Sequence, residues 1–237
     1  MVEFLGKERR ITMGNIRYQI ISLRTSERRS ISLSVIININ MDLSHLNREE
    51  RDKITSENLS KAKFHPIELN LEEDSLRFYT EFKRRFSGVQ FFKLKIEAYQ
   101  NMLWGSLRFQ QFTNEFINNS NFKNAISQLK PFEEHYELKH KIKLGGSLFN
   151  FIGELSHDLY KGGCYGSNSN LNNDEILKIT KAFIDDNLKD IYSDYRYIRI
   201  YEPWTKWFGH KPLISTTYML INTYKDEMLM ICISDTD

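Results

Sequence analysis

The chain has 237 residues, of which 41% are hydrophobic, 27% charged and 13% aromatic, with a formal net charge of +2. That balance is globular, supplies enough apolar matter for a sizeable core and excludes disorder over most of the length. A near-neutral total argues against a protein whose main work is wrapping nucleic acid. No apolar run approaches the roughly 18 residues of a membrane span; the longest is "MLMICI", Met228 to Ile233.

In chain order, "NIRYQIISL" is strand-like and "SISLSVIININMDL" more so, because Ile31, Leu33, Val35, Ile37, Ile39, Met41 and Leu43 alternate with mostly polar residues. A period of two marks a half-buried strand, and the polar "RTSERR" between them suits a hairpin loop. Lys7, Arg9, Arg10, Arg17, Arg24, Arg28 and Arg29 make this end locally basic. With no interleaved aromatic platform, they read as a solvated loop and strand face rather than a phosphate-contacting patch. "NREERDKITSENLSKAKF" reads as a mostly exposed helix, with Asn47 and Glu50 at capping-box spacing. "EEDSLRFYTEFKRRFSG" predicts a helix with Leu76, Tyr79, Phe82 and Phe86 inward and Gly88 as its stop. "VQFFKLKIEAY" predicts a one-sided strand burying Phe92, Leu94, Ile96 and Ala98.

From Ser106 to Lys130 the pattern is helical, broken at "NNSN" (Asn118 to Asn121), with Phe122, Ile126 and Leu129 inward and Pro131 ending it. Leu148, Ile152, Leu155 and Leu159 form the stripe of the next helix; Ile176, Ile179, Phe183 and Leu188 that of another. The chain closes with "YRYIRIY", "STTYMLIN" and "EMLMICIS". The last two are almost continuously apolar and therefore predict central strands covered on both faces. This order of elements predicts an α+β fold, a largely antiparallel sheet with helices packed on it. Its organisation reads as a β-rich part over residues 1–105 and a helical segment with C-terminal strands over 106–237, the two also compatible with one continuous domain.

The stretch "HDLYKGGCYGSNSN" places His157, Asp158 and Cys164 close in sequence, which raises the question of a nucleophilic thiol. Gly162 and Gly163 suit a helix C-cap, so Cys164 falls beyond a helix C-terminus, where the macrodipole disfavours a thiolate. His157 lies two turns back, roughly 10 Å along the axis. A helix stop followed by a buried small residue is the simpler reading. His135 and His140, five apart, do not form a metal pair, and no phosphate loop, dinucleotide fingerprint, zinc quartet or nucleophile elbow is present in the sequence. The charged opening "MVEFLGKERR" lacks the apolar core of a signal peptide, and two cysteines are too few for a disulfide framework. Both features point to the cytoplasm.

"YKGGCYG", then "WTKWFGH", then "STTYMLIN" and "MLMICISDTD" form a succession over residues 155–237 that resembles bacterial immunity-type proteins of polymorphic and contact-dependent toxin systems. Ser234 stands where that pattern has a threonine. The resemblance implies a cytoplasmic binding protein that neutralises a cognate protein toxin, a basic nuclease among the candidates, with no cofactor or metal required; the apolar run lengths argue against a membrane partner and the small net charge against a nucleic-acid one. Such an inhibitor presents acids and aromatic anchors. The candidate partner-binding residues are Asp185, Asp186, Asp190, Asp194, Glu202, Trp204, Asp226 and Glu227. The alternative is an enzyme of unrecognised type with its site near His157, Asp158 and Cys164.

Overall fold

A computed structural model describes residues 7–13, 16–22, 40–41, 46–97, 109–138, 143–144, 148–164, 170–188, 195–210, 212–222 and 227–235. They fall into two units, Met1–Ile54 and Thr55–Asp237. In the first, strands β1 (Lys7–Met13), β2 (Ile16–Ser22) and β3 (Asn40–Met41) form an antiparallel sheet in that order. Strand β1 was not expected from the sequence, where its lysine and arginines read as a charged loop and strand face. Most of the "SISLSVIININMDL" segment and the whole of "RTSERR" lie outside the described residues.

Helix α1 (Arg48–Lys61) begins as its sequence requires: the Glu50 N–H donates to Asn47 Oδ1 at 3.0 Å and the Asn47 N–H to Glu50 Oε2 at 2.9 Å. This reciprocal pair satisfies two donors that a helix N-terminus leaves open.

The second unit is built on a six-stranded sheet. Its strands are β4 (Lys63–Ile67), β5 (Gly88–Glu97), β6 (Lys143–Leu144), β7 (Tyr195–Ile200), β8 (Ile214–Asn222) and β9 (Glu227–Asp235), in the order β4-β5-β9-β8-β7-β6. Every pairing is antiparallel. The fold is α+β, and the two apolar strands β8 and β9 are central. Strands β5 and β9, which lie on either side of position 105, pair from Gly88↔Ser234 to Lys95↔Glu227.

Alternate residues of β5, β7, β8 and β9 feed two cores, one on each face. On one face Phe92, Leu94, Ile96, Met219, Ile221, Met230 and Cys232 pack with Leu59 of α1 and with α3 (Phe109–Asn118), α4 (Ser120–Ala125) and the 3₁₀ turn Ser127–Leu129. On the other, Tyr218, Leu220, Leu229, Ile231 and Ile233 pack with α2 (Glu73–Arg85), α5 (Leu148–Lys161) and α6 (Asn173–Asn187). Ring pairs knit both cores: Phe64 meets Phe116 edge-on at 5.1 Å and Phe78 stacks on Phe183 at 4.7 Å. Each such buried ring contributes about 1.5–3 kcal/mol through burial.

Three local expectations change. Leu76 is 49% exposed, and α2 turns Ser75, Phe78, Phe82 and Arg85 inward instead. Gly88 does not stop α2, whose C-cap is the extended Phe86; it opens β5. Strand β4 falls in "KAKF" and the residues after it, where the sequence carried no strand signal. It is a short edge strand whose Pro66 cannot donate and whose Lys63, His65 and Ile67 are exposed, which discourages further pairing.

Candidate functional site

The glycine pair that closes α5 meets the end of β9. Gly162 takes φ +70°, the left-handed cap expected of it. Gly163 is required for a different reason. Its N–H donates to the Arg85 carbonyl at 3.0 Å, and a Cβ there would overlap the Asp235 carboxylate and come 2.9 Å from the Arg85 oxygen. Asp235 fills that space, accepting the Cys164 N–H at Oδ2 and the Ser87 N–H at Oδ1 (3.1 Å). Burial pushes this carboxyl up, but the donors from Cys164 and Ser87 outweigh burial and hold it below the usual carboxylate range. Its own carbonyl accepts from Leu213 N–H at 2.9 Å, and Ser234 Oγ donates to the Phe208 carbonyl at 3.0 Å. Trp207 lies against Gly88, where a Cβ would stand 3.3 Å from its ring. "YKGGCYG", "WTKWFGH" and the tail thus converge on one knot around the start of β5.

A charged network lies between α5 and the sheet. Glu154 and Asp158, one helical turn apart, both face Arg199 of β7: Nη1 to Glu154 Oε2 at 2.8 Å, Nη2 to Asp158 Oδ2 at 3.3 Å. Tyr197 OH donates to Glu154 at 2.6 Å and Tyr218 OH to Asp158. The guanidinium stacks on the rings of Tyr201 and Tyr218, 4.7 and 4.6 Å from their centroids. Burial pushes the Asp158 carboxyl above its ordinary range, against Tyr218 and Arg199, which pull it down. Burial likewise raises both tyrosines, reinforced by the carboxylates they serve. With its carboxylates bonded and its phenols held protonated, the network is built to bind α5 to the sheet.

The third feature is a cleft of about 540 Å³ between the last turns of α1 and α3 and the loop that follows the 3₁₀ turn; Glu57, Ser60, Glu115, Asn118 and His135 are among its walls. Its frame comes from the "NNSN" stretch. Asn119 is 5% exposed; its Nδ2 donates to the carbonyls of Leu59 (2.6 Å) and Ser60 (3.2 Å), ending α1, while its Oδ1 accepts the Phe122 N–H at 2.9 Å, starting α4. Asn118 pairs with the Tyr136 backbone as a strand would, through Oδ1 (2.8 Å) and Nδ2 (2.7 Å), and Asn114 Oδ1 accepts the Leu138 N–H at 3.1 Å. Glu115 accepts from Ser56 Oγ at 2.7 Å and Gln111 Nε2 at 3.2 Å.

The candidate residues divide sharply. Asp185 is exposed and bonded to Lys181 Nζ at 2.6 Å. Asp186 is half-buried and accepts from Ser75 Oγ, joining the end of α6 to the start of α2. Glu227 is half-buried at the start of β9, opposite Lys95 and Asn222. Asp190, Asp194 and Asp226 lie outside the described residues. Glu202 and Trp204 are interior, 4% and 2% exposed, and so are not presented to a partner. The Trp204 indole N–H is spent on Thr217 Oγ1 at 2.8 Å and its ring stacks on Phe122; Tyr136 OH donates to Glu202 at 3.4 Å. Burial, then Glu202, pushes that phenol up to about 12. His157 is exposed, Asp158 belongs to the Arg199 network, and Cys164 is exposed with its backbone N–H on Asp235. Glu154, Tyr197, Arg199 and Tyr218 were missed. A signal existed: Tyr195, Tyr197, Arg199 and Tyr201 alternate on one strand face, and Glu154 and Asp158 stand four apart on a helix.

Among the described residues no helix is long and apolar enough to cross a membrane, and no group of three or more His, Cys, Asp or Glu could hold a metal ion. No protein-family model, curated protein or solved structure matches the chain.

Proposed function

We propose that this chain is a cytoplasmic binding protein, in its most specific form an immunity protein that neutralises a cognate toxin by direct binding. The observation that carries the reading is the knot. The three stretches that resemble immunity-type proteins are far apart in sequence yet are joined through Gly163, Asp235, Ser234 and Gly88. A resemblance carried by residues that jointly build one feature has more weight than one carried by scattered residues.

An inhibitor of this kind needs a rigid scaffold and a complementary surface. A sheet with helices on both faces supplies the first. Exposed acids and aromatics supply the second: Asp185, Glu133, Glu134 and Glu137, with Phe149 and Tyr160 of α5 at 69% and 55% exposure. Acidic groups suit a basic partner, which keeps a basic nuclease among the toxins to be expected.

The test is a tagged pull-down of the full chain from its native host, washed at high salt, with co-purifying proteins identified by mass spectrometry. The expected result is a stoichiometric partner that is toxic when expressed alone and harmless when co-expressed with this chain. Recovery of the chain by itself, from cells confirmed to express a neighbouring toxin, would overturn the reading.

A further inference from the structure

We propose that the cleft framed by α1, α3 and the 131–138 loop receives a cationic side chain, an arginine or lysine, of a protein partner. The proposal rests on the direct-binding reading and assigns that reading a place. Size comes first: about 540 Å³ accommodates a long side chain with part of its backbone. Next is the sign of the field. Ser60 of the cleft lies in the last turn of α1, and Glu115 and Asn118 in the last turn of α3, so two helices bring their negative ends to it. The last carbonyls of α1, at Leu59 and Ser60, are capped by the neutral amide of Asn119, and the basic groups on that helix near the cleft are Lys53 and Lys61, one turn either side of Glu57 and ion-paired to neither Glu57 nor Glu115.

The carboxylates add to this field. Glu115 is half-buried and oriented by two neutral donors, Ser56 Oγ and Gln111 Nε2; no lysine or arginine among the described residues pairs with it or with Glu57. Beyond His135 the loop adds the exposed Glu133, Glu134 and Glu137. The nearby Lys123 gives its ammonium to the Glu134 carbonyl at 3.1 Å rather than to any of these carboxylates. Finally, the walls are set before a ligand arrives. Asn114 and Asn118 hold the loop on α3 through its backbone at Tyr136 and Leu138, so little ordering cost remains at binding. A planar guanidinium fits best, because it can reach Glu115 and Glu57 with separate N–H groups and still donate to a serine hydroxyl.

The experiment titrates the ¹⁵N-labelled full chain with N-acetyl-arginine amide, and in parallel with N-acetyl-citrulline amide, a neutral analogue of nearly the same shape. Saturable shifts confined to the amides of Glu115, Asn118 and Ser120, at an affinity on the order of millimolar and absent with citrulline, are the expected result. Glu57→Gln and Glu115→Gln should each weaken the arginine probe at least about fivefold, the effect of one lost charge-assisted bond, while Glu73→Gln, on α2 at the opposite face of the sheet, leaves it unchanged. Equal binding of citrulline, or no saturable shift, would overturn the proposal. Glu57→Lys then separates the two readings, since the Glu57 side chain makes no hydrogen bond or ion pair among the described residues. If a toxin is captured and Glu57→Lys leaves its affinity unchanged, the cleft is wrong and direct binding stands. If the arginine probe saturates but no partner is captured, the cleft stands and the immunity reading fails.

Discussion

At the scale of single residues, two glycines on one stretch of chain answer to opposite constraints. Gly153 lies in the middle of α5, where an added Cβ would meet nothing within 4 Å. There the glycine only loosens the helix. Gly163, two residues past the end of α5, has the Asp235 carboxylate in the place of a Cβ. Gly153→Ala is therefore expected to stabilise by about 0.8–1 kcal/mol, the glycine-to-alanine difference in a helix. Gly163→Ala should destabilise by about 1–3 kcal/mol, as overpacking does, because Asp235 must swing away and release the N–H groups of Ser87 and Cys164. Urea unfolding of both variants beside the parent protein checks the pair. A neutral Gly163→Ala would mean that the tail is not anchored as described.

At the scale of elements, legibility followed from periodicity. Helices α5 and α6 and strands β5, β8 and β9 carry their burial as a regular apolar pattern, and the structure buries Leu148, Ile152, Leu155, Leu159, Ile176, Ile179 and Phe183 as that pattern predicts. Strands β1 and β4 carry no such pattern, because backbone pairing to a neighbour defines them and their side chains alternate poorly. The Arg199 network was illegible for a related reason. Its carboxylates and its guanidinium lie on elements more than 40 positions apart, and only the packing of α5 on β7 and β8 brings them together. The "NNSN" stretch was half legible: its asparagines marked a helix break, but not that Asn119 would end one helix and begin another. That double duty is testable. Asn119→Ala removes an N-cap, about 1 kcal/mol, and takes the amide donor from the Leu59 and Ser60 carbonyls, of which Leu59 keeps the Ala62 N–H at 3.1 Å, about 0.5–1.5 kcal/mol more. The expected loss is about 1.5–2.5 kcal/mol with an unchanged denaturant slope. Asn121, whose Nδ2 reaches only the Ala62 carbonyl, should cost less on replacement. Equal losses at both positions would deny Asn119 its joint role.

At the scale of the whole molecule, two carboxyls on different elements give the fold opposite responses to acid. Asp235 is held below its ordinary range by two backbone N–H groups despite its burial, so its contribution is complete above the unfolded value, roughly 3.9, and is lost as pH falls through the folded value. Asp158 is pushed above its ordinary range by burial under α5. Between the unfolded and the folded values, the folded chain keeps a proton there that the unfolded chain releases, so stability falls as pH rises through that window. Differences between variant and parent isolate each effect, since all other groups cancel. Asp158→Asn, whose amide oxygen can still accept from Tyr218, should match the parent most closely near pH 3.5 and gain on it as pH rises past about 4, levelling off once Asp158 has ionised. Asp235→Asn should run the other way, its deficit largest at neutral pH and shrinking toward acid. Urea midpoints from pH 3.5 to 7.5 check both curves. Should the Asp158→Asn difference stay flat across that range, the Arg199 network would be neutralising the carboxylate fully, and the tie between α5 and the sheet would be an ion pair at every pH in it.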